Sequence, residues 1–189
     1  ITSTVTASTT LLSCFGDTNA SITANATSGG QGSNYSYTLN MVSPTVTSSG
    51  PQASNVFNNL GAGTYQVVIT DGYNCEFIST DITINEPNQI QASLVVATTL
   101  NCNNAGGELR LSAAGGTGIY EYSDDVTFTS ILGSFALSTA ITGITPGTYQ
   151  YYVRDANGCV ANVSNEITIE SAPALVLNVE DTNPFINCT

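Results

Sequence analysis

The stretch Leu60–Cys75, LGAGTYQVVITDGYNC, decides the fold, because Ile144–Cys159, ITPGTYQYYVRDANGC, says the same thing a second time. In the first copy Tyr65, Val67 and Ile69 fall on one side of an extended chain, and Tyr149, Tyr151 and Val153 do so in the second. That period of two marks a half-buried strand rather than a helix. Each strand runs to an aspartate, Asp71 or Asp155, and then meets a turn, DGYN or DANG. The turns read as hairpin loops that need positive φ, placed at Gly72 in one copy and Asn157-Gly158 in the other. A cysteine follows each.

Working outward, CFGDTNASITANATSGG from Cys14 is matched by CNNAGGELRLSAAGG from Cys102, 88 positions on, whereas Tyr65/Tyr149 and Cys75/Cys159 are 84 apart. The offset changes only between strands, where insertions are tolerated. Ile22, Ala24 and Ala26 share a face, as do Leu109, Leu111 and Ala113. A Thr-rich strand and a proline close each copy, DITINEP at Pro87 and EITIESAP at Pro173. The last residues, LVLNVEDTNPFINCT, lead into Cys188 as ITSTVTASTTLLSCF leads into Cys14. The expected organisation is therefore repeat 1 at 1–88, repeat 2 at 89–174, and the first strand of a third repeat at 175–189, with Cys188 pairing beyond it.

Composition narrows the setting. Of 189 residues, two are Lys or Arg (Arg110 and Arg154), 14 are Asp or Glu and none is His, for a net charge of -12. A surface that follows phosphates is excluded, so nucleic acid and anionic membrane are not expected partners. Charged residues are 8% of the chain, against roughly 25% in an ordinary soluble domain. Ser, Thr, Asn and Gly supply the polar surface instead, in the manner of an extracellular β protein. No stretch is long and apolar enough to span a bilayer, and no signal-peptide pattern is present, so export signal and anchor are expected elsewhere.

Turn signals recur at a spacing that suits about seven short strands per repeat. GTY after an apolar residue, Leu60 or Ile144, looks like the tyrosine corner of immunoglobulin-like and fibronectin-like sandwiches, with Tyr65 and Tyr149 bonding back across the corner. The fold expected is all-β: tandem sandwiches of that kind with one disulfide each. The cysteines are expected to pair Cys14 with Cys75 and Cys102 with Cys159, each bond contributing roughly 3 to 5 kcal/mol. The competing connectivity, Cys75 with Cys102 and Cys159 with Cys188, staples neighbours and stays open. On the first pairing, Cys75→Ala lowers the melting temperature and leaves the surroundings of Cys159 undisturbed.

CFGD before a strand, then GG, Tyr-x-Tyr, the GTY corner, D-x-N-G-C and a closing T-I-x-E-P together resemble the SprB repeat family of large bacterial surface proteins. Repeat 2 departs from the pattern, with Asn103, Asn104 and Ala105 in place of Phe15, Gly16 and Asp17. The resemblance implies a structural segment of a long cell-surface adhesin filament in gliding Bacteroidetes, exported by the type IX system. Its expected partners are neighbouring repeats of the same chain, surface polysaccharide or substratum, and further copies in a homo-oligomeric filament.

No enzyme is expected. Without His or Lys, the usual general bases and Schiff-base nucleophiles are missing. The adjacent carboxylates Asp124-Asp125 and Glu180-Asp181 read as solvated surface before they read as a glycosidase pair. Among cofactors only calcium is in play, through Asp17, Asp71, Asp124, Asp125 and Asp155, and no metal ligand is assigned, because Asp71 and Asp155 are better read as turn formers. The sequons at Asn19, Asn25, Asn34 and Asn162 are what an Asn- and Thr-rich chain generates by chance. Tyr120, Tyr122 and Tyr152 would offer a sugar-stacking platform if they faced outward together.

Overall fold

A computed structural model describes residues 1–32, 34–100, 106–161 and 163–171. Over these the chain is all β. The first half folds as β1 (Thr2–Ala7), β2 (Ala20–Ser28), β3 (Ser36–Ser43), β4 (Thr47–Gln52), β5 (Val56–Leu60), β6 (Gly63–Thr70), β7 (Glu76–Ile78) and β8 (Ile82–Ile84). One sheet has the order β1-β2-β5; the other runs β4-β3-β6-β7, with β8 also beside β6. Ile22 and Ala24 of β2, Phe57 of β5, Tyr37 and Leu39 of β3, and Tyr65, Val67 and Ile69 of β6 meet in one buried cluster between the sheets. Burying each large apolar side chain contributes about 1.5–3 kcal/mol, which is why the alternation of β6 is so regular.

The second half repeats the plan with β9 (Gln91–Thr98), β10 (Gly107–Ala114), β11 (Tyr120–Ser123), β12 (Gly133–Phe135), β13 (Ser138–Ile144), β14 (Gly147–Tyr149), β15 (Tyr152–Arg154) and β16 (Ile167–Ile169). Sheet orders are β13-β10-β9, β12-β11-β15 and β14-β16. Here the strand equivalent to β6 is broken between β14 and β15, at Gln150 and Tyr151. A separate core gathers Leu94, Leu109, Leu111, Tyr120, Tyr122, Phe135, Tyr151 and Val153. The named strands thus number eight in each half rather than about seven, in the second because the β6 equivalent is broken and in the first because the closing strand is split into β7 and β8.

That split has a cause. β7 pairs with Val68–Thr70 and β8 with Gly63–Tyr65, leaving the backbone of Val67 to the interruption between them. The Val67 N–H donates to the Ser79 hydroxyl at 2.9 Å, and the Ser79 N–H donates to the Val67 carbonyl. In repeat 2 the buried Ser164 does the same for Tyr151, its hydroxyl accepting at 3.0 Å. A serine thus stands in for the missing rung of the ladder, and no buried side-chain polar atom is left unpartnered among the described residues.

Between its first and second strands the chain changes sheets. β1 pairs with β2 up to Ala7, after which Thr10–Leu12 runs parallel to the end of β8, with the Leu12 N–H donating to the Asn85 carbonyl at 2.8 Å. Cys14 is thereby set at the end of the sandwich where β6 begins, and Cys75 at the end where β6 stops. Two sequence expectations fail locally. Ala26 is exposed with φ 49, beside a register shift in the β1–β2 pairing. The positive φ of the first hairpin sits at Asn74 (φ 64) rather than Gly72, matching Gly158 (φ 82) in the second.

Ser164→Ala deletes the acceptor of the Tyr151 N–H. It is expected to destabilise the second sandwich by about 1–3 kcal/mol, read from its denaturation midpoint, with the first sandwich unchanged; Ser79→Ala should do the converse.

Candidate functional site: the junction between the sandwiches

The two hairpins that carry Cys75 and Cys159 are built alike, around a buried carboxylate. Asp155 is 2% exposed. Its Oδ1 accepts the N–H groups of Asn157 and Cys159, each at 2.9 Å, and its Oδ2 accepts the Thr117 N–H at 2.8 Å and the Thr117 hydroxyl at 3.1 Å. Asp71, 4% exposed, takes the N–H groups of Tyr73 and Cys75 on Oδ1 and that of Gln31 on Oδ2. The N–H of Gln31 is the strongest influence, followed by that of Cys75, in holding the Asp71 carboxyl below the ordinary carboxylate range. The GG dipeptides follow from the same geometry, since a Cβ on Gly30 or Gly116 would lie 2.6 or 2.7 Å from the Oδ2 of Asp71 or Asp155. Both glycines also have positive φ.

At the end of the second sandwich this hairpin meets the first sandwich. Cys14 and Cys159 form a disulfide, with Cα atoms 5.5 Å apart. This overturns the pairing of Cys14 with Cys75 and of Cys102 with Cys159, and with it one disulfide enclosed in each repeat. The reason is length: eight residues of β6 separate the Cys14 end from the Cys75 end, about 25 Å of strand, whereas bonded cysteines have Cα atoms within about 7 Å. The competing pairing of Cys159 with Cys188 fails too. Cys75 is an exposed free thiol; Cys102 and Cys188 lie outside the described residues, as do Pro173, Asn162, Glu180-Asp181 and the segment 175–189.

Polar contacts fix the rest of the junction. The Asn157 side-chain amide donates to the Ser13 carbonyl at 3.2 Å. Glu86, just before Pro87, accepts the Gly16 N–H at 2.7 Å, and the Asn88 carbonyl accepts the Gly116 N–H at 2.7 Å. The linker is therefore tied to the sandwich on either side of it. Asp17 folds the cysteine loop, accepting the Cys14 N–H at 3.0 Å. A cleft of about 280 Å³ remains, walled by Phe15, Pro87, Ile90, Gly116, Gly158 and Val160 among others.

The remaining candidates disperse. The Tyr65 hydroxyl donates to the Gly61 carbonyl at 3.0 Å and that of Tyr149 to the Thr145 carbonyl at 2.9 Å. Tyr120 and Tyr122 face inward, 5% and 8% exposed, packed against Phe135, and Tyr122 also meets Tyr151 edge-on. With Tyr152 half-buried, the three do not form an outward platform. Asp125 is saturated by the hydroxyls of Thr127 and Thr129 and by the N–H of Thr127, which hold its carboxyl far below the usual range; Asp124 is exposed beside it. Arg154 pairs with Glu121 at 2.7 Å and lies over the Phe128 ring. Among the described residues no three His, Cys, Asp or Glu side chains cluster to hold a metal ion. Ringed by N–H groups, Asp71 and Asp155 present to their surroundings the polarity opposite to what a cation needs.

Sequence reasoning missed Ser79 and Ser164, and the junction contacts of Glu86 and Asn157. The signal for the serines was present, in STDITI and SNEITI before each closing strand.

Facing sheets packed around one core in each half define a protein of tandem immunoglobulin-like sandwiches. Residues 6–43, in the first sandwich, match the SprB repeat family. No curated protein sequence matches the chain. Similar solved structures include the three N-terminal domains of the bacteriophage RB49 outer capsid protein Hoc, at 15% identity and TM-score 0.41, covering 89% of this chain and 59% of that one. The fibronectin(III)-like modules of Clostridium thermocellum CbhA are 12% identical with TM-score 0.32, over 89% and 95% of the two chains. Murine CEACAM1b is 16% identical with TM-score 0.36, over 90% and 100%.

Three outcomes are expected. Asp155→Ala strands several N–H groups and should cost about 3 kcal/mol, seen as a lower unfolding midpoint of the second sandwich. Because the carboxyl of Asp71 is depressed on folding, its contribution is complete above the unfolded value of about 3.9 and is lost as pH falls through the lower folded value. A thermal-melt series should therefore show Asp71→Asn with a shallower acid limb than the parent. Cys14→Ser should lower the melting temperature and free Cys159 for alkylation, whereas Cys75→Ser should leave the melt unchanged, reversing the expectation for Cys75→Ala.

Proposed function

We propose that this chain is a load-bearing spacer of a long extracellular adhesin, displayed on the cell surface as a filament of tandem sandwiches. The observation that carries this reading is the covalent bond between Cys14 and Cys159 across the junction, reinforced by a linker tied on both sides. A flexible string of independent modules needs neither. A bond of this kind persists in an oxidising compartment, in keeping with export. The SprB match at residues 6–43 supports an adhesin repeat; gliding motility and type IX export are the finer part of the proposal and rest on that resemblance. A net charge of -12 keeps parallel filaments apart by repulsion. Binding of saccharide by stacked tyrosines has no support from Tyr120 and Tyr122, which belong to the core.

The test uses microbeads coated with antibody against this chain, applied to living cells of the source organism. Beads that bind and travel along the cell are the expected result. Beads that bind and stay still would leave a surface adhesin and remove the motility claim, and beads that never bind intact cells would remove surface display.

A further inference from the structure

The Cys75 end of the first sandwich is built like the Cys159 end of the second. Ile1 lies over Gly30 as Ile90 lies over Gly116, and Asp71 holds its hairpin as Asp155 does. In the second sandwich this end is covered by the Ser13–Cys14 loop of the preceding repeat, through the disulfide and the Asn157 contact to Ser13. In the first sandwich Cys75 carries a free thiol, and Tyr73, at the position of Asn157, is 71% exposed. We propose that the Cys75 end is a second junction, which receives the cysteine loop of another repeat of this class placed ahead of the first sandwich and closes on it by a disulfide to Cys75. Each first cysteine of a repeat would then bond the last cysteine of the next, so that staples run along the filament rather than within its beads.

The bond forms by exchange. Cys75 and the incoming cysteine each give up a proton and an electron, and one molecule of oxidised glutathione, or an equivalent disulfide oxidant of the export compartment, is reduced to two thiols. The inference rests on tandem succession and not on adhesion, so immobile beads leave it standing, and a free Cys75 would leave surface display standing.

The experiment extends the 189-residue chain at its N-terminus by a second copy of residues 1–88, marked by Ser13→Thr and Cys75→Ser, folded in a glutathione buffer. After alkylation, a non-reducing chymotryptic digest is read by mass spectrometry. The expected product joins the marked Cys14 peptide to Cys75 and keeps Cys14 bonded to Cys159, with alkylation of Cys75 at least tenfold lower than in the unextended chain. Cys75 fully alkylated, or joined to Cys14 of its own repeat, overturns the proposal. Should the extended chain lose its Cys14–Cys159 bond, the unextended chain decides. Incubated with equal concentrations of oxidised glutathione and of the disulfide-linked dimer of a peptide of residues 8–18, its Cys75 should exchange onto the peptide at least tenfold over glutathione, and lose that preference in urea. Equal capture of the two in the folded protein overturns the proposal.

Discussion

A carboxylate buried beneath a hairpin organises each half of this protein. An ionised side chain out of water is costly unless its lone pairs are met, and Asp155 meets them with three backbone N–H groups and a hydroxyl. The hairpin thereby acquires one shape, the GG turn is drawn against it, and glycine becomes obligatory where any Cβ would strike the oxygen. The cysteine four residues on is carried to a fixed place at the tip of the sandwich. Junction chemistry is thus set by a group that takes no part in it.

The junction gains its order from contributions that are each small. Glu86 fastens the linker to one neighbour, the Asn88 carbonyl fastens it to the other, and the Asn157 amide reaches across to Ser13. Individually such hydrogen bonds are worth about 1 kcal/mol, but they act on groups that the disulfide already holds close. The entropy of bringing the partners together is met once and shared.

Much of this was legible in the sequence. Period-two alternation in QVVIT and its copy reports a sheet facing a core, and two copies in register report two of them. The alternation of Leu109, Leu111 and Ala113 survives intact in the structure, while that of Ala26 is lost at a register shift that no local pattern announces. Tyr120 and Tyr122 look like surface aromatics only if the strand phase is unknown; the structure's phase turns both inward. The disulfide was misjudged because counting cysteines per repeat ignores direction. A tyrosine corner at the start of β6 and a cysteine ten residues beyond it sit at opposite ends of one strand, so Cys75 stands a strand's length from the end that Cys14 occupies. What sequence could not provide was which sandwich end meets which, since that depends on packing between halves rather than on any residue run.

The position of that bond changes how the chain responds when it is pulled. Tension entering at residue 1 reaches Cys14, crosses to Cys159 and leaves through the closing strand, so residues 15 to 158 lie outside the load path. Most of both cores is then shielded, and the slack a pulled pair releases comes only from β1 with its short extension and from the stretch after Cys159. The unit resists extension beyond those two stretches even if its sandwiches are individually weak. Its compliance is set by chemistry, namely by whether its surroundings keep the sulfurs oxidised.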